Sequence, residues 1–270
     1  MRLFATLEYD GTDFLGFQTQ KRGRTVQGEL ERAITRVTGE KIRIVGGGRT
    51  DAGVHAAGQA AHWDTHWKRS LEELQRALNA VLPADLAIMN LRLVSENFSA
   101  RFSAHARIYR YTILNEAQRS PLAERFALWV KEPLDALKMD SAARLLIGTH
   151  DFGAFGRAPS RREYRERELS LHAREGARKL LRGDNTTREM HRASVSRAGA
   201  RIAIEFQANA FLYRMVRRMV GTLLQVGKGR LSLAEFRAVF EKKKRAEASA
   251  PPNGLCLLAV RYAIEETDRR

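Results

Sequence analysis

Apolar positions alternate through Leu3, Ala5, Leu7 and Tyr9, which predicts an opening strand. The stretch YDGTDFLGFQTQKRGR carries Gly and Asp turn signals and no sustained period, so a loop or arm is expected there. From Thr25, an N-cap, the residues Val26, Leu30, Ala33, Ile34 and Val37 recur at helical spacing up to Gly39, predicting a helix with one buried face. A short strand, IRIV at 42–45, should lead into GGGRTDAGVHAAGQAAHW, whose second half reads as extended. The Gly-rich segment then connects two strands. Ser70 and Glu73 fit a capping box ahead of Leu71, Leu74, Leu78, Val81 and Leu82, with Pro83 as the stop.

Further strands are expected at 86–93, 106–114, 126–130, 189–196 and 201–208, and a helix from Asp135 to Ile147 ending at Gly148. Asn209 is expected to cap AFLYRMVRRMVGTLLQV, whose apolar face is Leu212, Met215, Val216, Met219, Val220 and Leu223 and which Gly227 closes. Ser232 and Glu235 form a second capping box for a helix ending in KKKR at 242–245, and LCLLAVRYAI at 255–264 is the closing strand. Strands and helices mix without regular βαβα alternation, which predicts an α+β fold. A division near residue 105 leaves several strands and at least two helices on each side: an N-terminal subdomain at 1–105 and a C-terminal one at 106–270. Residues 157–183 are few in apolar side chains and rich in mixed charge, and read as a basic, mobile insertion.

Charge changes this picture. The 270 residues carry 47 Lys+Arg against 31 Asp+Glu, a formal net charge of +16. Such a balance makes a polyanion the first partner to test, because Lys and Arg release condensed counterions from phosphates. A hydrophobic content of 44% is too high for a disordered chain. No run approaches the ~18 uncharged apolar residues of a membrane span, and MRLFATLEYDGTDF meets acidic residues too early for a signal sequence. A soluble, unexported protein without membrane attachment is expected. The one cysteine, Cys256, cannot form an internal disulfide and suits a reducing cytoplasm.

Three segments have the residue types for chemistry. In GGGRTDAGVHA, residues 46–56, glycines let the backbone approach a ligand while Asp51 presents one carboxylate, a candidate nucleophile or base. The same aspartate would equally serve an Asx-turn or a cap, with Arg49 as a partner of that turn. GxxxxGK[ST] is absent, so the glycines are not a phosphate loop of that kind. His62 and His66 are four apart but on an extended segment without HExxH, so no zinc site is indicated. In ARFSAHARIYRYTI, residues 100–113, Arg101, Arg107 and Arg110 interleave with Phe102, Tyr109 and Tyr111. This mixture suits base stacking with phosphate contact, and also core packing of the tyrosines. On the helix at 210–226, Arg214, Arg217 and Arg218 lie opposite the Met and Val stripe, as a solvated face or an RNA contact.

Taken together, the segments resemble the tRNA pseudouridine synthase A family almost from end to end. YDGTDFLGFQTQ with TVQGELERAI resembles its opening motif, and GRTDAGVHA at 48–56 its most distinctive one. ARFSAHARIYRY at 100–111, NAFLYRMVRRMVGTLLQVG at 209–227 and GLCLLAVRY at 254–262 follow in order. The resemblance implies that Asp51 is the catalytic nucleophile and Arg217 its ion-pair partner. It implies that Tyr109 contacts the target base, that Leu257 is an apolar residue near the pocket, and that Arg49 holds RNA or aids base extrusion. The implied fold is two similar α/β subdomains with mixed or antiparallel sheets meeting at a central basic cleft, usually in a homodimer. The implied reaction converts uridine to pseudouridine at positions 38, 39 and 40 in the anticodon stem-loop of tRNA, without metal or organic cofactor. Two features depart from the family's pattern: the 157–183 insertion, and Cys256 where an aromatic residue is common. The competing readings are a non-catalytic RNA-binding or chaperone protein, a synthase acting on another RNA, and a DNA binder built on the 209–227 helix.

Overall fold

The computed structural model describes residues 1–158, 186–241, 246 and 249–263. Nearly all of the 157–183 insertion and the KKKR run at 242–245 lie outside the described residues. Ten strands and five α-helices are present among the described residues, an α+β fold. They form two compact units: residues 1–112, 120–128 and 252–270 in the first, and residues 113–119 and 129–251 in the second.

In the first unit the strands are β1 (Arg2–Tyr9), β2 (Val45–Gly46), β3 (His55–Asp64), β4 (Leu86–Val94), β10 (Leu255–Tyr262) and most of β5 (Ala104–Asn115). Their order is β4-β1-β3-β10-β5, with β2 paired to β3. All pairs are antiparallel except β3 with β10, which is parallel. Alternation on β1 sends Leu3, Ala5, Leu7 and Tyr9 to one buried face, whereas Phe4 joins Phe98, Val94, Ala60 and Ala100 on the other. Helix α1 (Val26–Thr38) begins at Thr25, whose side chain accepts from the Gly28 N–H, and ends at Gly39 in the left-handed region. Helix α2 (Leu71–Val81) starts with the expected capping box of Ser70 and Glu73. It is fastened to β4 by Asn79, whose side chain takes up both the N–H and the carbonyl of Ile88 at 2.8 and 2.9 Å.

The strand expected at 42–45 is displaced, and only Val45 and Gly46 pair. The reason is that α1 claims Ile44. Its N–H donates to Glu31 Oε1 at 3.0 Å, and its carbonyl accepts from Gln27 Nε2 at 3.4 Å, so its backbone is satisfied by helix side chains.

In the second unit β9 (Arg201–Ala208) pairs with β8 (Thr187–Ala198), and β8 with β7 (Gly148–Asp151), all antiparallel. Strand β7 takes up residues directly after the expected stop at Gly148. The short β6 (Leu128–Val130) pairs with β5. Ile202, Ile204, Phe206 and Ala208 alternate into a core shared with Met139, Ala142 and Ala143 of α3 (Ala136–Arg144) and with Met215, Met219, Val220 and Leu223 of α4 (Met215–Gly227). Helices α3 and α4 approach so closely at Gly227 that a Cβ there would lie 2.5 Å from Met139 Sδ. Helix α5 (Leu233–Phe240) carries the expected Ser232 and Glu235 capping box.

The helix expected from Asn209 starts later, at Met215. Asn209 instead prolongs strand pairing: its N–H donates to the Glu189 carbonyl and its Oδ1 accepts from the Glu189 N–H, both at 3.1 Å. Tyr213 bridges to Arg157, and Arg214 occupies the position before the helix with φ 59°, the one left-handed non-glycine among the described residues. No helix among the described residues is long and apolar enough to cross a membrane.

Candidate active site

Asp51 sits in the connection between β2 and β3, residues 47–54. The loop lies on a bed made by residues 10–17, joined through backbone groups. Phe17 N–H donates to the Thr50 carbonyl at 3.1 Å, and Gly53 N–H to the Phe14 carbonyl at 3.2 Å. Within the loop the Val54 N–H returns to the Asp51 carbonyl at 3.2 Å, a tight turn that needs Gly53 at φ +76°. The approach of the two segments is too close for side chains: a Cβ on Gly11 would lie 2.0 Å from the Val54 carbonyl oxygen. Asp51 is half-buried, while Arg49, two residues earlier, is exposed.

Strand register supplies the walls. On β10, Leu257 stands opposite Ala56 of β3 on one side and Tyr109 of β5 on the other. Leu257 is fully buried and Tyr109 is 7% exposed. Burial pushes the Tyr109 phenol far above its ordinary range; the Tyr9 phenol and the Asp51 carboxylate push it the same way, against the Arg107 cation. Tyr109 is thus within electrostatic reach of both Asp51 and Tyr9. Arg49, Asp51, Tyr109 and Leu257 therefore all belong to the first unit. Arg217 belongs to the second, on α4, where its Nε donates to the Ala250 carbonyl at 2.7 Å and its own carbonyl accepts from the Ala250 N–H at 2.9 Å. Arg214 is exposed and stacks its guanidinium on Tyr213, 5.1 Å from the ring centroid.

Three further residues serve this loop, of which Tyr9 and Gln59 were not picked out from the sequence as functional and Arg107 was read as a phosphate contact. Tyr9 OH lies 2.8 Å from Thr50 Oγ1, Gln59 Nε2 donates to the Gly48 carbonyl at 3.2 Å, and Arg107 Nη2 donates to the Gly47 carbonyl at 2.9 Å. Desolvation lowers the Arg107 pKa from its ordinary value. His55 is buried, accepts from the Gly11 N–H at Nδ1 (3.0 Å) and leaves Nε2 for the Asn253 carbonyl at 3.2 Å, tying the bed to the entrance of β10. The available signal was Gln59, a polar residue inside the otherwise apolar alternation AAGQAA. His62, the other histidine of β3, accepts from the Ala100 N–H. Among the described residues no group of three or more His, Cys, Asp or Glu is placed to hold a metal ion.

A carboxylate on such a backbone-held loop has the chemistry of a nucleophile or base. The sequence model described as tRNA pseudouridine synthase matches residues 5–103 and 142–263. The chain belongs to the tRNA pseudouridine synthase family, a family of isomerases. Among its curated relatives, tRNA pseudouridine synthase A of Roseiflexus castenholzii (strain DSM 13941 / HLO8) is 44% identical over 259 residues, 95% of this chain and 88% of the relative. That of Methylococcus capsulatus (strain ATCC 33009 / NCIMB 11132 / Bath) is 39% identical over 267 residues, 98% of this chain and 91% of the relative. That of Thermoanaerobacter sp. (strain X514) is 38% identical over 258 residues, 95% and 97% respectively.

Proposed function

We propose that this protein isomerises uridine to pseudouridine in the anticodon stem-loop of tRNA, at positions 38, 39 and 40, with Asp51 as nucleophile. The observation that carries the reading is the Asp51 carboxylate, held on the glycine-rich loop and within electrostatic reach of the buried Tyr109. In the reaction the C1′–N1 bond breaks and a C1′–C5 bond forms; C5 gives up its proton and N1 gains one, so nothing enters or leaves. Such a rearrangement needs one carboxylate, a wall that retains the detached base, and little water. No metal or organic cofactor has a step to perform.

Each residue has its part. A uridine in a stem must be extruded at a cost of a few kcal/mol, which the basic surface of the protein supplies through phosphate contacts. Tyr109 contacts the extruded base and Leu257 keeps the pocket apolar. Arg49, exposed beside Asp51, holds the RNA or aids extrusion. Arg217 is the ion-pair partner that favours the ionised form of Asp51. The enzyme works in the cytoplasm, as a homodimer.

The test incubates the full chain with unmodified tRNA transcript and maps pseudouridine. Asp51→Asn is expected to lower turnover by on the order of 10⁴-fold or more while tRNA affinity stays within about twofold. Arg217→Leu in the same assay slows turnover more than it weakens binding. A chain that binds tRNA and makes no pseudouridine refutes the enzymatic reading, and an Asp51→Asn enzyme at full speed refutes the assignment of the nucleophile.

A further inference from the structure

We propose that Tyr9 is a positioning residue for the reaction, its buried hydroxyl fixing the Asp51 carboxylate in place through Thr50. This rests on the reading of Asp51 as the nucleophile. Side chains from three strands converge on the four residues that precede Asp51. Arg107 of β5 holds the Gly47 carbonyl, Gln59 of β3 the Gly48 carbonyl, and Tyr9 of β1 the Thr50 hydroxyl. Tyr9, Gln59 and Thr50 are 3%, 0% and 6% exposed, so these bonds form away from competing water.

Donor accounting fixes the direction of the bonds made by Gln59. Gln59 Oε1 accepts from the Ala60 N–H at 3.1 Å, which leaves its amide protons for the Gly48 carbonyl at 3.2 Å and the Tyr9 oxygen at 3.4 Å. The phenol oxygen is then an acceptor toward Gln59, and it shares a hydrogen bond with Thr50 Oγ1 in which either oxygen can donate. Burial raises the Tyr9 pKa far above its ordinary value, so the phenol stays protonated throughout the working range.

The geometry gives this hydroxyl a role that packing does not require. Thr50 is peptide-bonded to Asp51, and its carbonyl is already held by the Phe17 N–H. A second hold, on the side chain, removes the remaining freedom of the peptide that aims the carboxylate. The ring of Tyr9 packs against Phe14, with centroids 6.2 Å apart, and would do so equally without the oxygen. Reaction through a nucleophile requires placement within about 0.5 Å, and a displacement of about 1 Å costs on the order of 10²-fold in rate.

The experiment uses the full chain with unmodified tRNA transcript and measures kcat, KM, tRNA Kd and thermal midpoint. Tyr9→Phe is expected to lower kcat by about 10- to 100-fold with KM and Kd within about twofold. Thr50→Val reproduces this loss, and Thr50→Ser, which keeps the hydroxyl, recovers most of it. The double variant Tyr9→Phe/Thr50→Val is no slower than the slower single variant, because both changes cut one bond. A Tyr9→Phe enzyme with wild-type kcat and only a lowered midpoint overturns the proposal, as do losses that multiply in the double variant. If Tyr9→Phe does not fold, the comparison of Thr50→Ser with Thr50→Val decides: equal kcat overturns the proposal. A wild-type chain that makes no pseudouridine removes the functional reading itself, whereas an active wild type matched by Tyr9→Phe removes only the role of Tyr9.

Discussion

His62 makes stability depend on pH in a calculable way. It lies on β3 opposite Phe4, is 5% exposed, and accepts the Ala100 N–H at Nδ1 over 3.0 Å. Burial pushes its imidazole down to about 4; the Arg2 cation acts in the same direction and Asp64 opposes it. The unfolded chain binds a proton near the ordinary ~6.5, whereas the native chain waits until about 4. The contribution of His62 is therefore complete above the unfolded value and is lost as the pH falls through the native one. Between pH 7 and 5 the loss is about 2 kcal/mol, of a limit near 3 kcal/mol. Carboxylates interfere little in this window, since they titrate in the unfolded chain around pH 4, and Asp64, which Arg2 holds below the usual carboxylate range, contributes only below it. The assay is urea denaturation at pH 7, 6 and 5 of the wild type and of His62→Asn, whose amide oxygen can take over the Ala100 N–H. The variant should lose about 2 kcal/mol less than the wild type across that interval. Identical slopes for the two proteins would refute a neutral, buried His62.

Two further substitutions probe the bed and the wall of the site. Gly11→Ala places a methyl 2.0 Å from the Val54 carbonyl oxygen, a backbone atom that cannot swing aside. It should destabilise the chain by about 1–3 kcal/mol and lower turnover, and an unchanged midpoint with full activity would refute the close approach. Tyr109→Phe keeps the ring and should retain most tRNA turnover, whereas Tyr109→Ala should lose about 1–3 kcal/mol of transition-state stabilisation by kcat/KM; a fully active, folded alanine variant would reduce Tyr109 to packing.

Local signals were the most legible in the sequence. The caps at Thr25 and Gly39 and the boxes at Ser70 with Glu73 and Ser232 with Glu235 act within one helical turn, and each stands where the residue pattern put it. The misreadings arose where a distant partner outweighed the local pattern. Asn209 has the chemistry of an N-cap, but Glu189 on the neighbouring strand takes up its amide groups. The β-branched run of Ile42, Ile44 and Val45 reads as a strand, yet Gln27 and Glu31 of the preceding helix satisfy the backbone of Ile44. The site shows the same division. Asp51 and its glycines form a contiguous motif, while Tyr9, Gln59 and Arg107 become meaningful only when three strands are laid side by side.

The placement of β10 brings motifs far apart in the sequence side by side in the first unit. Strands β3 and β5 each border β10, β3 in the parallel sense and β5 in the antiparallel sense. A parallel pair cannot close through a short turn, so its partner has to come from a remote part of the chain. The last described strand fills that role, and Leu257 becomes the spacer that sets Ala56 and Tyr109 two strand widths apart, about 10 Å across the sheet. That register puts β10 between the β3 end, which receives the Asp51 loop, and the phenol proposed to contact the base. Gly58 marks how closely the strand must lie, since a Cβ there would fall 2.3 Å from the Leu258 carbonyl oxygen. The geometry proposed for the reaction thus depends on a contact of high sequence separation, the pairing of β10 with β3 and β5.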